Sequence, residues 1–458
     1  MARGKKKETL TPEERLQVAL VPEGEQPYPV PGNWCWTYIK FGFDVTSSKR
    51  VHKEDWLSQG IPFYRTRELV KLSENGCVDN ELFISEKLYN SFVAEYGVPQ
   101  KGDLLISGVG TIGVPYVINE NQKFYFKDGN IIWFKNRGLF HPKYVYFLYK
   151  STFIDNQIHQ MSSGTTVDTY TIINANATVV PLPPFSEQQR IIDRIESLFA
   201  KLDEAKQKAQ DALDSFETRK AAILHKAFTG ELTAQWRKEH GVGMESWKEE
   251  TLESVCYSIF DGDHMPPPKS EQGIPFLVIS NVNTGHLSFE NTRFVPESYY
   301  EALSDTRKPE YGDVLYTLVG SYGIPVIVDR EHPFCFQRHM ALLKPKNIDS
   351  YYLWYILQSR EMFEKATQIA TGTAQLTVPI KGLRQLKFNC ASANEQGEIV
   401  RILDDLLAKE QQAKETAEGV LEQIDLIKKA ILARAFRGEL GTNDPSEESA
   451  VELVKQVL

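Results

Sequence analysis

The sequence predicts an α+β protein with two β-rich α/β modules, each followed by one long helix. Three observations support this fold class. Thirteen residues recur 208 positions apart, KAAILHKAFTGEL at 220–232 and KKAILARAFRGEL at 428–440, with nine identities. Each copy ends a long run of helix formers, and each run follows a region rich in aromatic, glycine and β-branched residues. A duplication of this size indicates two similar modules.

The stretch 186–232 predicts the first long helix. Pro183 and Pro184 precede it in an extended linker, and Ser186 with Gln189 three residues later resembles a capping box. No glycine or proline follows until after Phe228, so we expect one helix of about forty residues and about 60 Å. Steps of three and four, typical of a helix packed along its length, separate Ile195, Leu198, Leu202, Ala205, Ala209, Ala212, Phe216, Arg219 and Ile223.

The stretch 394–440 predicts the second long helix, with a matching stripe that Glu410 interrupts once. Two matching stripes in one chain favour packing against each other over the alternative of two unrelated surface helices. The candidate packing or partner-contact residues are Leu198, Leu202, Phe216, Ile223, Phe228, Leu406, Ile424, Ile427, Ile431 and Phe436.

The regions before the helices repeat only at anchor positions. Residues 102–115 align with 312–325 as GDLLISGVGTIGVP and GDVLYTLVGSYGIP. Shorter anchors match Gly-Ile-Pro-Phe at 60 and 273, and Gly-Thr at 164 and 372. In the first module we expect strands at 104–106, 114–118, 130–134 and 178–180 and a helix at 142–150. Between the anchors the modules diverge, which indicates a common scaffold with different surfaces.

Composition limits the class of protein. The 458 residues are 41% apolar, enough for two or three cores, and no apolar run approaches the twenty residues of a membrane span. The basic start is followed by no apolar signal core. Five scattered cysteines, with no Cys-x-x-Cys pair, argue against disulfides and zinc. We expect a cytoplasmic protein with no membrane partner.

The charge balance limits how this chain can bind nucleic acid. The formal net charge is −9, and neither module is strongly basic. Duplex DNA is bound largely through phosphate neutralisation. Any DNA binding must therefore use locally placed basic groups, or charge supplied by a partner.

Local clusters supply such groups in both modules. Arginine, lysine, glutamine and histidine side chains contact phosphates or base edges, and a carboxylate accepts from cytosine. The candidate DNA-binding residues are Ser48, Lys49, Arg50, Lys53, Arg65, Arg67, Asp263, His264, Lys269, Gln337, Arg338 and His339. For any single member, an ordinary solvated surface or loop is the alternative. Asp261, Asp263 and His264 also resemble a metal cluster, although module one shows no counterpart and no second histidine lies nearby.

Catalytic signatures are absent. Residues 108–113 read GVGTIG but lack the Lys-Ser/Thr of a phosphate-binding loop, and their repetition favours a tight structural turn over contact with a DNA backbone. We find no dinucleotide-binding glycine loop, no amino-methyltransferase motif and no nuclease carboxylate–lysine cluster. The sequence therefore predicts a non-catalytic protein without a metal or cofactor of its own.

Taken together, these motifs resemble the specificity subunit of type I restriction–modification systems. Each module carries the Gly-Asp-x-Leu…Gly-x-x-Gly core, then Gly-Thr, a linker, Glu-Gln and a helix ending Ala-Phe-x-Gly-Glu-Leu. The resemblance covers about 32–440, and the second linker departs from it by lacking the proline pair. The segments are an N-terminal extension (1–31), target recognition domain 1 (32–185), conserved spacer helix 1 (186–232), target recognition domain 2 (244–390), conserved spacer helix 2 (394–440) and a C-terminal tail (441–458).

The resemblance implies a function. The two target recognition domains would each read one half of an asymmetric bipartite double-stranded DNA site. The helices would lie antiparallel as a coiled coil with pseudo-twofold symmetry and dock two methyltransferase subunits. S-adenosylmethionine would belong to those subunits, and ATP and magnesium to motor–nuclease subunits. The alternatives are a non-catalytic coiled-coil interaction scaffold, a stand-alone DNA enzyme, and a specificity subunit of a methylation-only system.

Overall fold

The computed structural model describes residues 10–120, 122–162, 168–262 and 267–458. They form two compact units. Unit 1 combines the chain up to Lys208 with Val420–Leu458, and unit 2 is Ala209–Gly419. Each unit therefore contains one module and one half of each long helix. The anchors Gly164 and Thr165 lie outside the described residues.

Up to Asp214 the described residues contain eight α-helices and nine strands. The helices are α1 (Pro12–Ala19), α2 (Ile39–Gly42), α3 (Thr66–Asn75), α4 (Glu86–Tyr96), α5 (Pro142–Tyr149), α6 (Thr152–Ser162), α7 (Ile172–Ala177) and α8 (Phe185–Asp214). The strands are β1 (Cys35–Tyr38), β2 (Phe43–Thr46), β3 (Ile61–Tyr64), β4 (Phe83–Ile84), β5 (Leu104–Ser107), β6 (Pro115–Val117), β7 (Tyr125–Phe126), β8 (Ile131–Asn136) and β9 (Val179–Leu182). All four strands expected in this module, and its expected helix, are present within a few residues.

From Phe216 onward the described residues contain nine α-helices and nine strands, and the strands follow the same order as in the first module. The helices are α9 (Phe216–Phe228), α10 (Ala234–His240), α11 (Leu252–Val255), α12 (Glu297–Ala302), α13 (Ser350–Leu357), α14 (Arg360–Ile369), α15 (Ile380–Arg384), α16 (Ala393–Ala435) and α17 (Ala450–Val457). The strands are β10 (Lys248–Thr251), β11 (Cys256–Asp261), β12 (Ile274–Leu277), β13 (Arg293–Val295), β14 (Val314–Thr317), β15 (Pro325–Ile327), β16 (Cys335–Phe336), β17 (Met340–Pro345) and β18 (Lys387–Cys390).

The sheets of the two units have one topology. Unit 1 contains the orders β1-β9, β2-β8-β5-β6 and β4-β3-β7, and unit 2 contains β10-β18, β11-β17-β14-β15 and β13-β12-β16. Only β3 with β7 and β12 with β16 pair in parallel among the described strands. The duplicated α+β fold class is confirmed, and each central sheet packs one of its apolar faces on its own part of the helix pair.

The repeated Gly-Ile-Pro-Phe anchor marks the start of β3 and β12. Gly60 and Gly273 adopt φ +137° and +133°, a region that residues with a Cβ rarely enter. A Cβ would lie 2.5 Å from the Ile84 carbonyl oxygen at the first site and 2.3 Å from that of Val295 at the second. Glycine recurs here because the neighbouring strand leaves no room for a side chain.

The expected capping box at the first long helix is wrong. Helix α8 begins at Phe185, directly after the two prolines, so Ser186 lies inside its first turn. The Ser186 hydroxyl donates to Glu447 Oε1 at 2.6 Å. A tertiary contact with the C-terminal segment therefore takes the place of a local cap.

The first long helix is also interrupted, whereas one continuous helix was expected. Helix α8 ends at Asp214, Ser215 stands between, and α9 begins at Phe216. The Ser215 hydroxyl donates to the carbonyl oxygen of Asp211 at 2.8 Å, and Arg219 Nη1 donates to that of Ala212 at 3.2 Å. A bond from a serine hydroxyl to the carbonyl four residues earlier often bends a helix. Helix α16 continues for 43 residues.

The two long helices pack on each other within both units. In unit 1 Lys428 Nζ lies 2.5 Å from Asp203 Oδ1 and 5.1 Å from the Phe199 ring centroid. In unit 2 Arg219 Nε lies 2.7 Å from Glu410 Oε2. In unit 2, Phe216 contacts Lys414 and Arg219 contacts Glu410, so residue numbers rise along one helix as they fall along the other. In unit 1, Arg190 contacts Thr442 and Asp203 contacts Lys428, which gives the same antiparallel direction. Arg219 and Glu410, the two polar positions of the stripes, form an ion pair with each other.

The terminal segments complete the core of unit 1. Ala450 and Val454 of α17 are fully buried in the same cluster as Ala19 of α1 and Phe436. The N-terminal extension and the C-terminal tail thus each contribute residues to this core.

Candidate nucleic-acid interface

In unit 2 three connections and one loop meet at one end of the central sheet. Strand register pairs Asp261, the end of β11, with Ala341, and pairs Thr317, the end of β14, with Met340. Backbone hydrogen bonds link the connections that follow these strands. Leu318 N–H donates to the His339 carbonyl at 2.8 Å, and Val378 N–H donates to the Leu318 carbonyl at 2.9 Å. We call residues 318–323, 337–339 and 371–376, together with Asp261 and Gly262, the loop edge of unit 2.

Unit 1 builds the same end from different residues. Gly108 N–H donates to the Asn130 carbonyl at 2.8 Å, and Tyr170 N–H donates to the Gly108 carbonyl at 2.8 Å. The Ser47 hydroxyl donates to the Ile131 carbonyl at 2.8 Å, which places the residues after β2 beside these two connections. Residues 47–53, 108–113 and 127–130 form the loop edge of unit 1.

The equivalence of the two edges corrects one expectation. The sequence showed no module-one counterpart for residues 261–264. Strand β2 ends at Thr46, paired with Trp133, and β11 ends one position further, paired with Ala341. Ser47 and Ser48 therefore take the place of Asp261 and Gly262, and the next two residues of unit 2 lie outside the described residues. Only strand pairing shows this match, since the two stretches share no residue type at any position.

The unit 1 candidates at 48–53 lie on the loop edge. The Ser48 hydroxyl donates to the Phe126 carbonyl at 2.6 Å, which makes this residue part of the loop framework. Lys49 is exposed, with Nζ 5.2 Å from the Tyr96 ring centroid. Arg50 is also exposed, and its Nε lies 3.1 Å from Asp128 Oδ2. Lys53 is exposed in a short 3₁₀ turn after this loop.

Arg65 and Arg67 surround a buried carboxylate at the start of α3. Arg65 Nη2 donates to Glu68 Oε1 at 2.7 Å, and Arg67 Nε donates to the same oxygen at 2.5 Å. Burial raises the pKa of Glu68, but the hydrogen bonds from both arginines outweigh it and hold the pKa below its ordinary value of 4.5. Arg67 also bonds Glu81. Both guanidinium groups are thus engaged within the fold, and Arg67 is about half exposed.

The unit 2 candidates at 337–339 occupy the matching connection. Gln337 Nε2 lies 2.7 Å from His339 Nδ1, and both residues are half-buried. Burial, with a contribution from Arg338, lowers the pKa of His339 below 6.5, which favours the neutral ring at pH 7. Arg338 is exposed. Lys269 is exposed in the segment after β11, whereas Asp263 and His264 lie outside the described residues.

The glycine-rich anchors are structural turns, as the sequence favoured. Gly113 N–H donates to the Ser107 carbonyl at 2.8 Å, and Gly323 N–H donates to the Thr317 carbonyl at 3.0 Å. Gly113 and Gly323 have φ +79° and +88°. The same turn links the central hairpin in both units, and it places residues 109–112 and 319–322 on the loop edges.

The helix candidates divide by burial. Phe216, Phe228, Ile424 and Phe436 are buried, and Ile427 is 43% exposed. The half-buried candidates are Leu198, Leu202, Ile223, Leu406 and Ile431. Ile427 therefore lies at the margin of the stripe, next to Lys428, which contacts Asp203 of the first helix. The adjacent Leu426 is 65% exposed.

The repeated Glu-Gln pair fastens each helix to its module, a role the sequence did not reveal. Glu187 is fully buried and accepts from Trp34 Nε1 at 2.7 Å and Asn443 Nδ2 at 2.9 Å. Glu395 is equally buried and accepts from Trp247 Nε1 at 2.8 Å and Arg237 Nη1 at 2.5 Å. The tryptophans that precede β1 and β10 were the available sequence signal.

The glutamines of the two pairs bind the module in the same way. The backbone N–H of His141 donates to Gln188 Oε1 at 2.7 Å, and that of Asp349 donates to Gln396 Oε1 at 2.9 Å. Each glutamine therefore holds the start of the helix that follows its central sheet, α5 or α13.

Each unit also carries a groove beside its long helix. In unit 2 a cavity of about 630 Å³ lies between α9 and α13 and includes Lys220, Trp354 and Gln411. In unit 1 a cavity of about 250 Å³ lies between α3, α5 and α8 and includes Tyr146 and Glu196. Trp354 and Tyr146 occupy the same position on α13 and α5.

Other kinds of site lack support in the described part of the chain. No three His, Cys, Asp or Glu side chains there are grouped as a metal site. Among the same residues, no helix is both long enough and apolar enough to span a membrane.

The duplicated units match a known family. The family model described as "Type I restriction modification DNA specificity domain" matches residues 43–213 and again 244–422, together more than half of the chain. The chain belongs to this family. The two matches fall on the two modules and their helices, as the internal repeat requires.

Relatives agree with this assignment. The chain is similar to the EcoKI specificity subunit of Escherichia coli K12, at 25% identity over 64% of this chain and 64% of that protein. It is similar to the EcoBI specificity subunit of Escherichia coli, at 26% identity over 88% of this chain and 84% of that protein.

Solved structures share the fold. The HsdS subunit from Thermoanaerobacter tengcongensis matches with TM-score 0.63 and 19% identity, over 91% of this chain and 99% of that one. A chain from a study of complex assembly and conformational transition of the type I R-M system matches with TM-score 0.66 and 20% identity, over 90% and 100%. At these identities the likeness is one of fold.

Proposed function

We propose that this chain is the sequence-specific DNA-binding subunit of a type I restriction–modification complex. Each unit would read one half of an asymmetric bipartite site through its loop edge. The observation that carries the proposal is the pair of loop edges, built on one sheet topology but from different side chains. One carries Lys49 and Arg50, and the other Gln337 and Arg338. Such an arrangement serves two different half-sites better than a palindrome.

The helix pair would dock two methyltransferase subunits, and motor–nuclease subunits would complete the complex. The two grooves beside the helices support docking of two like partners, because each unit offers one at the same position. S-adenosylmethionine would then act on the methyltransferase subunits, and ATP and magnesium on the motor–nuclease subunits. This chain would contribute recognition and spacing, in the cytoplasm, without catalysis of its own.

Mapping methylated bases tests the proposal directly. The chain is expressed with its methyltransferase subunits in cells, and the DNA is sequenced for methylation. We expect one split, non-palindromic motif. Methylation without a common motif, or at a palindrome, would contradict the proposal.

Substitutions assign the halves. Arg50→Ala should relax only one half of the motif and Arg338→Ala only the other, each at a cost of about 1–3 kcal/mol for a base contact. Arg330→Ala is the matched control, because Arg330 is 53% exposed in the connection after β15, at the opposite end of the same sheet. If both arginine variants changed the same half, the assignment of one unit to each half would be wrong.

The charge of −9 predicts weak binding by the isolated chain, because phosphate contacts dominate affinity. We expect sequence-specific binding in a gel-shift assay only after methyltransferase subunits are added. Tight specific binding by the chain alone at physiological salt would refute this division of labour.

A further inference from the structure

Residues 371–376 of unit 2, which we call the Gly-Thr loop, form a hydrogen-bonded loop on the loop edge. Thr371 and Thr377 close its base with reciprocal backbone hydrogen bonds of 2.9 and 2.8 Å. Gly320 N–H donates to the Leu376 carbonyl at 3.1 Å, which ties the loop to the neighbouring turn. The loop therefore has a defined shape, supported from two sides.

Glycines are required at two points of that shape. Gly372 has φ +111°, and a Cβ there would lie 2.4 Å from the Gln375 carbonyl oxygen. Gly320 has φ +74°, and a Cβ there would lie 2.9 Å from Gln375 Nε2. The side-chain amide of Gln375 is thus seated over the Gly320 turn, which limits its freedom before any ligand arrives.

The Gly-Thr loop is exposed along its whole length, although a buried core residue follows it closely in sequence. All six residues are exposed, whereas Val378, two positions beyond, is 1% exposed. Its sequence TGTAQL contains hydroxyl and amide groups but no charge. This composition is suited to hydrogen bonding with a charged ligand whose charge is neutralised by other residues.

The loop stands beside the connection assigned to base reading. The chain of backbone bonds from His339 through Leu318 to Val378 places the Gly-Thr loop and residues 337–339 on either side of one turn. Any duplex that meets Arg338 therefore passes close to this loop. The matching stretch of unit 1 includes residues outside those described, so the inference concerns unit 2 alone.

We propose that the Gly-Thr loop is a second, uncharged DNA contact of unit 2, in which the Gln375 amide reads the edge of a base. This inference rests on the proposed function. A glutamine amide both donates and accepts, and its usual partner is the N6/N7 edge of adenine. A neutral contact releases no counterions, so it adds discrimination without adding salt-dependent affinity.

The test uses the full chain in complex with its methyltransferase subunits. Binding is measured on a duplex with the mapped motif, and on duplexes with single-base changes in the unit 2 half, at several salt concentrations. Gln375→Ala should weaken cognate binding roughly tenfold, flatten the preference at one base pair and leave the salt slope unchanged. Arg338→Ala should instead lower the salt slope by about one if it meets a phosphate.

Gln375→Glu supplies a second variant of the same size, which cannot donate and repels phosphates. It should weaken cognate binding more than Gln375→Ala does. Gln385→Ala is the matched control, since Gln385 is exposed in unit 2 but bonds Glu253 near the opposite end of β11, and it should bind normally. Thermal unfolding should be the same for all variants, because both glutamines are exposed.

Two results would overturn the inference while the proposed function stands. One is unchanged base discrimination in Gln375→Ala, and the other is an equal loss on every sequence with a changed salt slope, which would indicate a phosphate contact. If the unsubstituted complex showed no sequence preference, the proposed function would fail and this inference with it.

Discussion

Removal of the Glu395 carboxylate should destabilise unit 2 far more than a typical surface change. The side chains of Glu395 and Arg237 are 0% and 9% exposed, and Glu395 also accepts from Thr233 at 2.7 Å and Trp247 at 2.8 Å. Breaking a buried ion pair by deleting one partner leaves an uncompensated charge and costs about 3–5 kcal/mol. Because domains unfold with about 5–15 kcal/mol, Glu395→Ala should remove a large part of that stability.

The measurement is urea unfolding of the full chain, followed by tryptophan fluorescence and by hydrogen exchange resolved for each unit. Exchange should accelerate in unit 2, while unit 1 keeps its own anchor at Glu187. Glu398→Ala is the control one turn later, because Glu398 pairs with Arg401 at the surface and such pairs contribute about 0–1 kcal/mol. In a double-mutant cycle, Arg237→Ala should cost much less once Glu395 is absent. A loss below about 1 kcal/mol for Glu395→Ala, or faster exchange in unit 1 alone, would refute the reasoning.

Three further predictions concern stability. The pKa of Glu68 is lowered in the fold, so the contribution of its carboxylate to folding stability is complete above about pH 4.5 and is lost as pH falls through the folded pKa. An acid titration of the free energy of unfolding should therefore show a smaller loss of stability for Glu68→Gln than for the unsubstituted chain. Ile424→Ala should cost about 2–5 kcal/mol because Ile424 is 2% exposed, and Leu426→Ala, 65% exposed, should change the denaturation midpoint little. Gly273→Ala should cost at least about 1–3 kcal/mol at φ +133°, and an unchanged melting temperature would contradict the clash with the adjoining strand.

Periodicity and duplication predicted most of the fold, because helix pairing repeats a local rule along the chain. The apolar stripes predicted both long helices, and the repeated anchor motifs predicted the central strands. The helix interruption was missed because Ser215 is an ordinary helix residue until its hydroxyl bonds the Asp211 carbonyl. The capping box was wrong because Ser186 has a better partner, Glu447, more than two hundred residues away in sequence.

The candidate site was predictable in residue type but not in place. Arg50 and Arg338 were chosen for their chemistry, and strand register is what puts them at equivalent ends of two sheets. Arg65 looked like a phosphate ligand, yet it bonds the buried Glu68, whose position no local pattern reveals. The Glu-Gln pairs were read as a family signature, whereas Glu187 and Glu395 bond tryptophans more than a hundred residues earlier.

The division of the chain between the units has a consequence for synthesis. All of unit 2 lies within Ala209–Gly419, so it can close its core as soon as that stretch has left the ribosome. Unit 1 must wait for Val420–Leu458, which supplies Phe436, Ala450 and Val454 to a core begun at Ala19. Until then the apolar residues that pack against Phe436, Ala450 and Val454 lack these contacts, and exposed apolar surface promotes aggregation. Unit 2 can therefore complete its core before unit 1 does, although unit 2 begins later in the sequence.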